Sequence, residues 1–168
     1  MKDLYFIDGY NVIFRDSAAF EARDLETARK DLNDLLLDFG AHREVEIIVV
    51  YDGKSPSNTP QETKSAKFLT EVFTPKTMTA DSYIEKESYR RREEYRDIYV
   101  VSSDGSVQNQ ILGNGAYRMA VSEFMRVLAE DKKEQRESIR ENNRANLRDE
   151  IGRNLTKEIL EKLEALRK

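Results

Sequence analysis

A chain of 168 residues is long enough for one compact domain with a real core and some appended helix. With a net charge of −4 and 36% of its residues charged, its surface is heavily solvated, and any grip on nucleic acid must come from a local basic patch. The absence of cysteine and the single histidine, His42, exclude a disulfide framework, a thiol nucleophile and a multi-histidine metal site, and argue against a Ser-His-Asp triad.

The first element is the apolar run Leu4 to Ile7, read as a strand. The N-terminus enters it directly in place of a signal peptide, and no stretch reaches membrane-spanning length, so a cytoplasmic protein without membrane attachment is expected. Leu25 to Phe39 carries Leu32, Leu35, Leu36 and Phe39 at helical spacing, and His42 ends that helix near solvent with no catalytic part expected. Val45 to Tyr51 reads as a second strand, Lys54 to Thr63 as a loop, and Phe68 to Phe73 as a strand near a sheet edge, stopped by Pro75. Thr79 to Tyr95 is predicted helical, capped by Thr79 and closed by Arg90 to Arg92, and Ile98 to Val101 is a further strand.

After Gly115, the stripe Ala120, Val121, Phe124, Met125 and Leu128 predicts a helix packed on the sheet. Beyond Glu130 the apolar residues thin to Ile139, Leu147 and Ile151; Gly152 is expected to break the helix, and Thr156 to cap a last one bearing Ile159, Leu160, Leu163 and Leu166. Near-continuous apolar strands alternating with helices describe a mainly parallel sheet inside a three-layer α/β domain. A C-terminal helical extension follows it, without internal repeat or second globular domain.

Three of the strands stop at an aspartate followed by glycine: Asp8-Gly9, Asp52-Gly53 and Asp104-Gly105, the last reached through Ser102-Ser103. Side chains just beyond the carboxyl ends of parallel strands converge on one crevice. Asp81, in the first turn of the helix that Thr79 starts, adds a fourth carboxylate, and Glu85 follows one turn later on the same face. One Asp-Gly after a strand is ordinarily a turn; three at successive strand ends, with Asp81, argue for a shared site. Such a cluster needs protons or a cation, and all-oxygen ligands favour Mg²⁺ or Mn²⁺, with a metal-activated water as nucleophile for a phosphodiester.

Asp8-Gly9-Tyr10-Asn11, Val50-Tyr51-Asp52, Thr79-Ala80-Asp81 and Ser102-Ser103-Asp104, with Gly113-Asn114-Gly115-Ala116, Arg118 and Glu123, resemble the YacP-like group of NYN domains among the PIN-like nucleases. The resemblance runs from the first strand to about Leu128. It implies a PIN-like sheet with a divalent-metal endoribonuclease site over residues 1–130, and leaves 131–168 as a helical extension packed on that domain or projecting from it. It further implies that Asp8, Asp81 and Asp104 hold metal, that Asp52 holds metal or orients a water, and that Asn11 holds the site or the scissile phosphate. Ser103 would hydrogen-bond a ligand or phosphate, and Glu85 would act at the metal or behind its ligands. The group includes a ribosome-associated messenger-RNA endonuclease, so RNA and the ribosome are the implied partners.

Arg136, Arg140, Arg144 and Arg148 recur every four residues, about 6 Å apart along a helix, a spacing suited to phosphates. Glu137 and Glu141 offer the alternative of an ordinary solvated helix held by ion pairs. Gly113-Asn114-Gly115 before a helix could cradle a phosphate or merely turn, Arg118 is the better single RNA contact, and Tyr10 either stacks a base or packs in the core. A haloacid-dehalogenase-type phosphatase wants a second aspartate where Tyr10 stands, and a phospho-receiver wants an acidic pair and a lysine that are missing. The remaining alternative is a catalytically inactive RNA- or ribosome-binding module of the same fold.

Overall fold

The computed structural model describes residues 1–16, 20, 24–102, 113 and 115–167. Six strands, β1 (Leu4–Asp8), β2 (Glu46–Tyr51), β3 (Gln61–Ala66), β4 (Leu69–Phe73), β5 (Ile98–Ser102) and β6 (Tyr117–Ala120), form one sheet in the order β3-β4-β2-β1-β5-β6. All neighbours are parallel except the β3–β4 hairpin. The helices are α1 (Gly9–Arg15), α2 (Leu25–Arg43), α3 (Ala80–Arg90) and α4 (Val121–Leu166). The mainly parallel three-layer α/β architecture is the expected one.

Each sheet face has its own core. Ile7, Ile47, Val49, Tyr51 and Val101 join Leu32, Leu36 and Phe39 of α2 and Val121, Phe124 and Leu128 of α4. The alternate strand residues Leu4, Phe6, Ile48, Val50, Ile98 and Val100 pack instead with Ala80, Tyr83 and Ile84 of α3. Central strands apolar on both sides are what burial on two faces requires.

Several boundaries differ from expectation, each for a local reason. The Lys54–Thr63 loop gives way at Gln61 to β3, a strand exposed along nearly all its length, whose polar residues carry no apolar alternation. Because β3 pairs with β4, the edge belongs to β3 and β4 sits one strand inside. Helix α1 follows β1 directly, capped by the Asp8 side chain, which accepts from Asn11 N. α3 stops at Arg90, five residues before Tyr95, where the Arg91 N–H turns back to Glu87 O. Ala120 ends β6 in place of starting a helix, so Gly113 and Gly115 precede a strand and present no helix N-terminus; Asn114 lies outside the described residues.

α4 continues through Gly152, which makes no break. Thr156 caps nothing: its hydroxyl donates to Gly152 O at 2.8 Å within the same helix. The chain divides into two compact units, Met1–Ala129 and Glu130–Lys168. In the second, Ile139, Leu147, Ile151, Leu155, Ile159 and Leu163 are all exposed.

The start of α1 tolerates no side chain. A Cβ on Gly9 would meet Tyr51 Cε1 at 2.2 Å, and the buried Tyr51 ring is itself flanked by Tyr10 and Phe73. Gly9→Ala is expected to destabilise the fold by about 2–3 kcal/mol, as overpacking does, read as a lowered urea midpoint at unchanged slope.

Candidate active site

The parallel order brings the carboxyl ends of β1, β2 and β5 to one rim. Side-chain alternation then selects the face: Asp8 follows Leu4 and Phe6, Asp52 follows Ile48 and Val50, and Ser102 follows Ile98 and Val100, all on the side covered by α3.

Asp8 is buried, with 6% of its surface exposed. Its Oδ1 accepts from the Asn11 backbone N–H at 3.3 Å and its Oδ2 from Asn11 Nδ2 at 2.7 Å, which fixes the carboxylate's orientation. Burial pushes the Asp8 carboxyl up to about 6; the Asn11 N–H opposes the shift, and the negative charges of Asp81 and Asp52 reinforce it. Asp8, Asp52 and Asp81 thus share one electrostatic neighbourhood.

Asp52 is exposed, and its Oδ1 accepts from Ala80 N, the first N–H of α3, at 2.5 Å. Thr79 Oγ1 accepts from Ser82 N at 3.1 Å, so two side chains cap this helix start. Thr74 braces the adjoining turn, its Oγ1 accepting from Gly53 N at 3.1 Å and its N–H donating to Tyr51 O at 3.0 Å. Asp81, the next residue of α3, is thereby held at the rim. Glu85, one turn on, lines a cleft together with Asp81 and Arg118.

Asp104 and Ser103 lie outside the described residues. Among the described residues no group of three carboxylates or histidines converges tightly enough to hold a metal ion. The donors fit a hard cation in chemistry nonetheless. Asp8 is raised by burial, with two neighbouring negative charges adding to the shift, and the buried Ser102 hydroxyl on the adjacent strand has no hydrogen-bond partner among the described residues. From the sequence Ser102 has no role of its own, being read only as part of the Ser102-Ser103 step from the Ile98–Val101 strand to Asp104; continuing the Ile98–Val100 alternation one step would have found it.

The remaining candidates fall elsewhere. Arg118, on β6, pairs with Val100 in the ladder and reaches the cleft from the sheet. Arg136, Arg140, Arg144 and Arg148 are on α4 in the second unit, and all four are exposed. The Tyr10 hydroxyl accepts from Arg29 Nη1 at 3.0 Å while its ring packs on Tyr51, which favours the core reading. His42 is exposed in the last turn of α2.

Over residues 5–168 the chain matches the family described as the YacP-like NYN domain. The chain belongs to the YacP-like NYN domain family. The match takes in the C-terminal helix as well as the motif-bearing part, and it gives the chain a PIN-like nuclease fold. The chain is similar to the uncharacterized protein YacP of Bacillus subtilis (strain 168), 31% identical over 127 residues that cover 74% of each sequence. It is similar in structure to the crystal structure of Rae1 (YacP) from Bacillus subtilis, with a TM-score of 0.68 and 25% identity over 98% of this chain and 94% of that one. A tryptophan-to-leucine mutant of the same protein gives a TM-score of 0.66 and 26% identity over 83% and 82%. No helix among the described residues is long and apolar enough to cross a membrane.

A carboxyl whose folded value lies near 6 against 3.8 unfolded binds more protons in the native state between those values. Native stability therefore falls as pH rises from about 4 to about 6 and stays lower above that. Asp8→Asn removes the charge at nearly constant shape. It is expected to stabilise the metal-free protein by on the order of 1–3 kcal/mol at pH 8, with the gain vanishing below pH ~4, measured by thermal unfolding across pH.

Proposed function

We propose that this protein is a cytoplasmic, divalent-metal-dependent endoribonuclease that hydrolyses phosphodiester bonds in RNA, with messenger RNA presented on the ribosome as its substrate. The observation that carries this reading is the gathering of Asp8, Asp52 and Asp81 at one rim of a PIN-like sheet, where Asp8 is raised by burial and by its two acidic neighbours. Repelling carboxylates held in place by caps and burial suit a cation far better than they suit stability.

Asp8, Asp52, Asp81 and Asp104 would hold Mg²⁺ or Mn²⁺. When bound, the cation supplies charge neutralisation at the scissile phosphate and a lowered pKa for water. The chain's own groups do the positioning. Asn11 fixes the Asp8 carboxylate through its Nδ2 and backbone N–H. Asp52 does two jobs, since one oxygen is committed to Ala80 N and the other is available to a ligand or a water. Ser103 would donate to a ligand or to phosphate, and Glu85 would act at the metal or on its ligands from behind. Arg118 would hold a phosphate next to the site, and Arg136, Arg140, Arg144 and Arg148 of the helical extension would contact RNA phosphates in their own right.

Mn²⁺ titration calorimetry on the wild type and on Asp8→Asn/Asp81→Asn, with cleavage of a mixed messenger-RNA pool followed in parallel, tests the assignment. Metal binding and internal cuts by the wild type alone are expected. Binding without cuts until ribosomes are added would place the substrate on the ribosome. No metal binding even with RNA present would leave a binding module of the same fold. Asp104→Asn is expected to lower cleavage by on the order of 10²–10³-fold while the thermal midpoint holds, since it removes one charge-stabilising group at constant shape. Replacing the four helix arginines by alanine should flatten the salt dependence of RNA binding, by about 0.7 in the log–log slope for each phosphate no longer neutralised. An unchanged slope would reduce the stripe to a solvated face.

A further inference from the structure

The cleft that begins at Asp81 is more than an approach to the acidic rim. It encloses about 790 Å³ between α3 and the β5–β6 side of the sheet, within the size range of small-molecule sites. Its floor is apolar, made by Ile84 and Val100. Along α3, Asp81, Glu85 and Tyr89 succeed one another at intervals of four, so the cleft runs about two helical turns, ~11 Å, from a carboxylate to an aromatic ring. Lys86 on α3 and Arg118 on β6 are its cations.

Tyr89 is the unusual member. Ile84, on the inner face of the same helix, is buried, whereas the Tyr89 ring is 58% exposed. The Arg92 guanidinium lies over that ring, 4.1 Å from its centroid. A cation on one face holds the ring as a platform and leaves the other face for a further π-system. An exposed aromatic, an apolar floor and two cations beside an acidic centre match the parts of a nucleotide: base, sugar and phosphate. Glu85, an acceptor only, suits a sugar hydroxyl or an exocyclic amine and repels phosphate, so the phosphate belongs toward Lys86 and Arg118.

We propose that this cleft is a nucleotide subsite that takes one unpaired RNA nucleotide flanking the scissile bond, with its base stacked on Tyr89 and its phosphate toward Lys86 and Arg118. The proposal rests on the nuclease reading for the word "scissile" and makes the substrate single-stranded at that position. A base still paired and stacked in a duplex offers no face to Tyr89.

The test measures binding and cutting separately on the full chain. Binding is followed by anisotropy of an end-labelled, non-self-complementary 12-mer RNA in EDTA, alone and annealed to its complement; cleavage of the same RNA is followed in Mn²⁺. The single strand is expected to bind more tightly than the duplex. Tyr89→Leu should weaken single-strand binding by about tenfold and raise KM for cleavage, Tyr89→Phe should stay within about twofold of wild type, and the thermal midpoint should not move in either. Equal binding by the wild type and Tyr89→Leu, or equal affinity for single strand and duplex, overturns the subsite. Tyr89-dependent binding by a wild type that cuts nothing, even after ribosomes are added, supports the subsite and sinks the nuclease reading. Cleavage with the same KM in the wild type and Tyr89→Leu does the reverse.

Discussion

The acceptance of the Ala80 N–H by the Asp52 carboxylate joins the end of a central strand to the start of α3, the helix that carries Asp81. A helix start must satisfy its free N–H groups, and here a residue of the acidic rim satisfies one of them. The same hydrogen bond that caps α3 therefore sets where its first-turn carboxylate stands relative to Asp8. Because the sheet is parallel there, Asp8 and Asp52 emerge at one rim, and because side chains alternate, they emerge on one face. Register, alternation and the capping of α3 together concentrate negative charge that no local preference would have chosen.

That concentration opposes folding stability. Asp8 is withdrawn from water, and its two acidic neighbours add to the cost of ionising it. Proteins tolerate such arrangements where function demands them, and the surrounding packing must over-determine the geometry. The supports are specific: Asn11 clasps the carboxylate with two donors, and Gly9 lets the Tyr51 ring lie directly against the backbone that follows Asp8. Tyr51 is anchored in turn, its hydroxyl donating to Asn33 Oδ1 at 2.9 Å, while Asn33 Nδ2 donates to Glu71.

The strands β1, β2 and β5 were legible because burial on both faces leaves an unbroken apolar run, and the aspartates at their ends were legible because the run stops abruptly there. β3 was illegible for the opposite reason: an exposed edge strand has no apolar period to read. β6 was hidden by the helix that follows it, since Met119 and Ala120 blend into the stripe of Val121, Phe124 and Leu128. Gly152 misled because a glycine weakens a helix without ending it, and flanking residues with good helical preference carry the chain through. At the site, Asp8, Asp52 and Asp81 announced themselves by position after a strand or a cap, whereas Asn11 was marked only by the family resemblance. The cleft of Lys86, Tyr89 and Arg118 did not, because α3 and β6 meet only through the crossover between distant strands.

The β3 edge has a bearing on how the protein behaves in company. A mainly parallel sheet ends in a row of unpaired backbone groups that another chain can extend. On this side the last strand is Gln61–Ala66, antiparallel to its neighbour, with a register shift between Lys64 and Ala66 and with Glu62 and Lys64 among its side chains. Charge and irregularity make it a poor template for a visiting strand. The buried apolar strands behind it, the most aggregation-prone segments of the molecule, are thus screened by a strand whose first half reads as loop in the sequence.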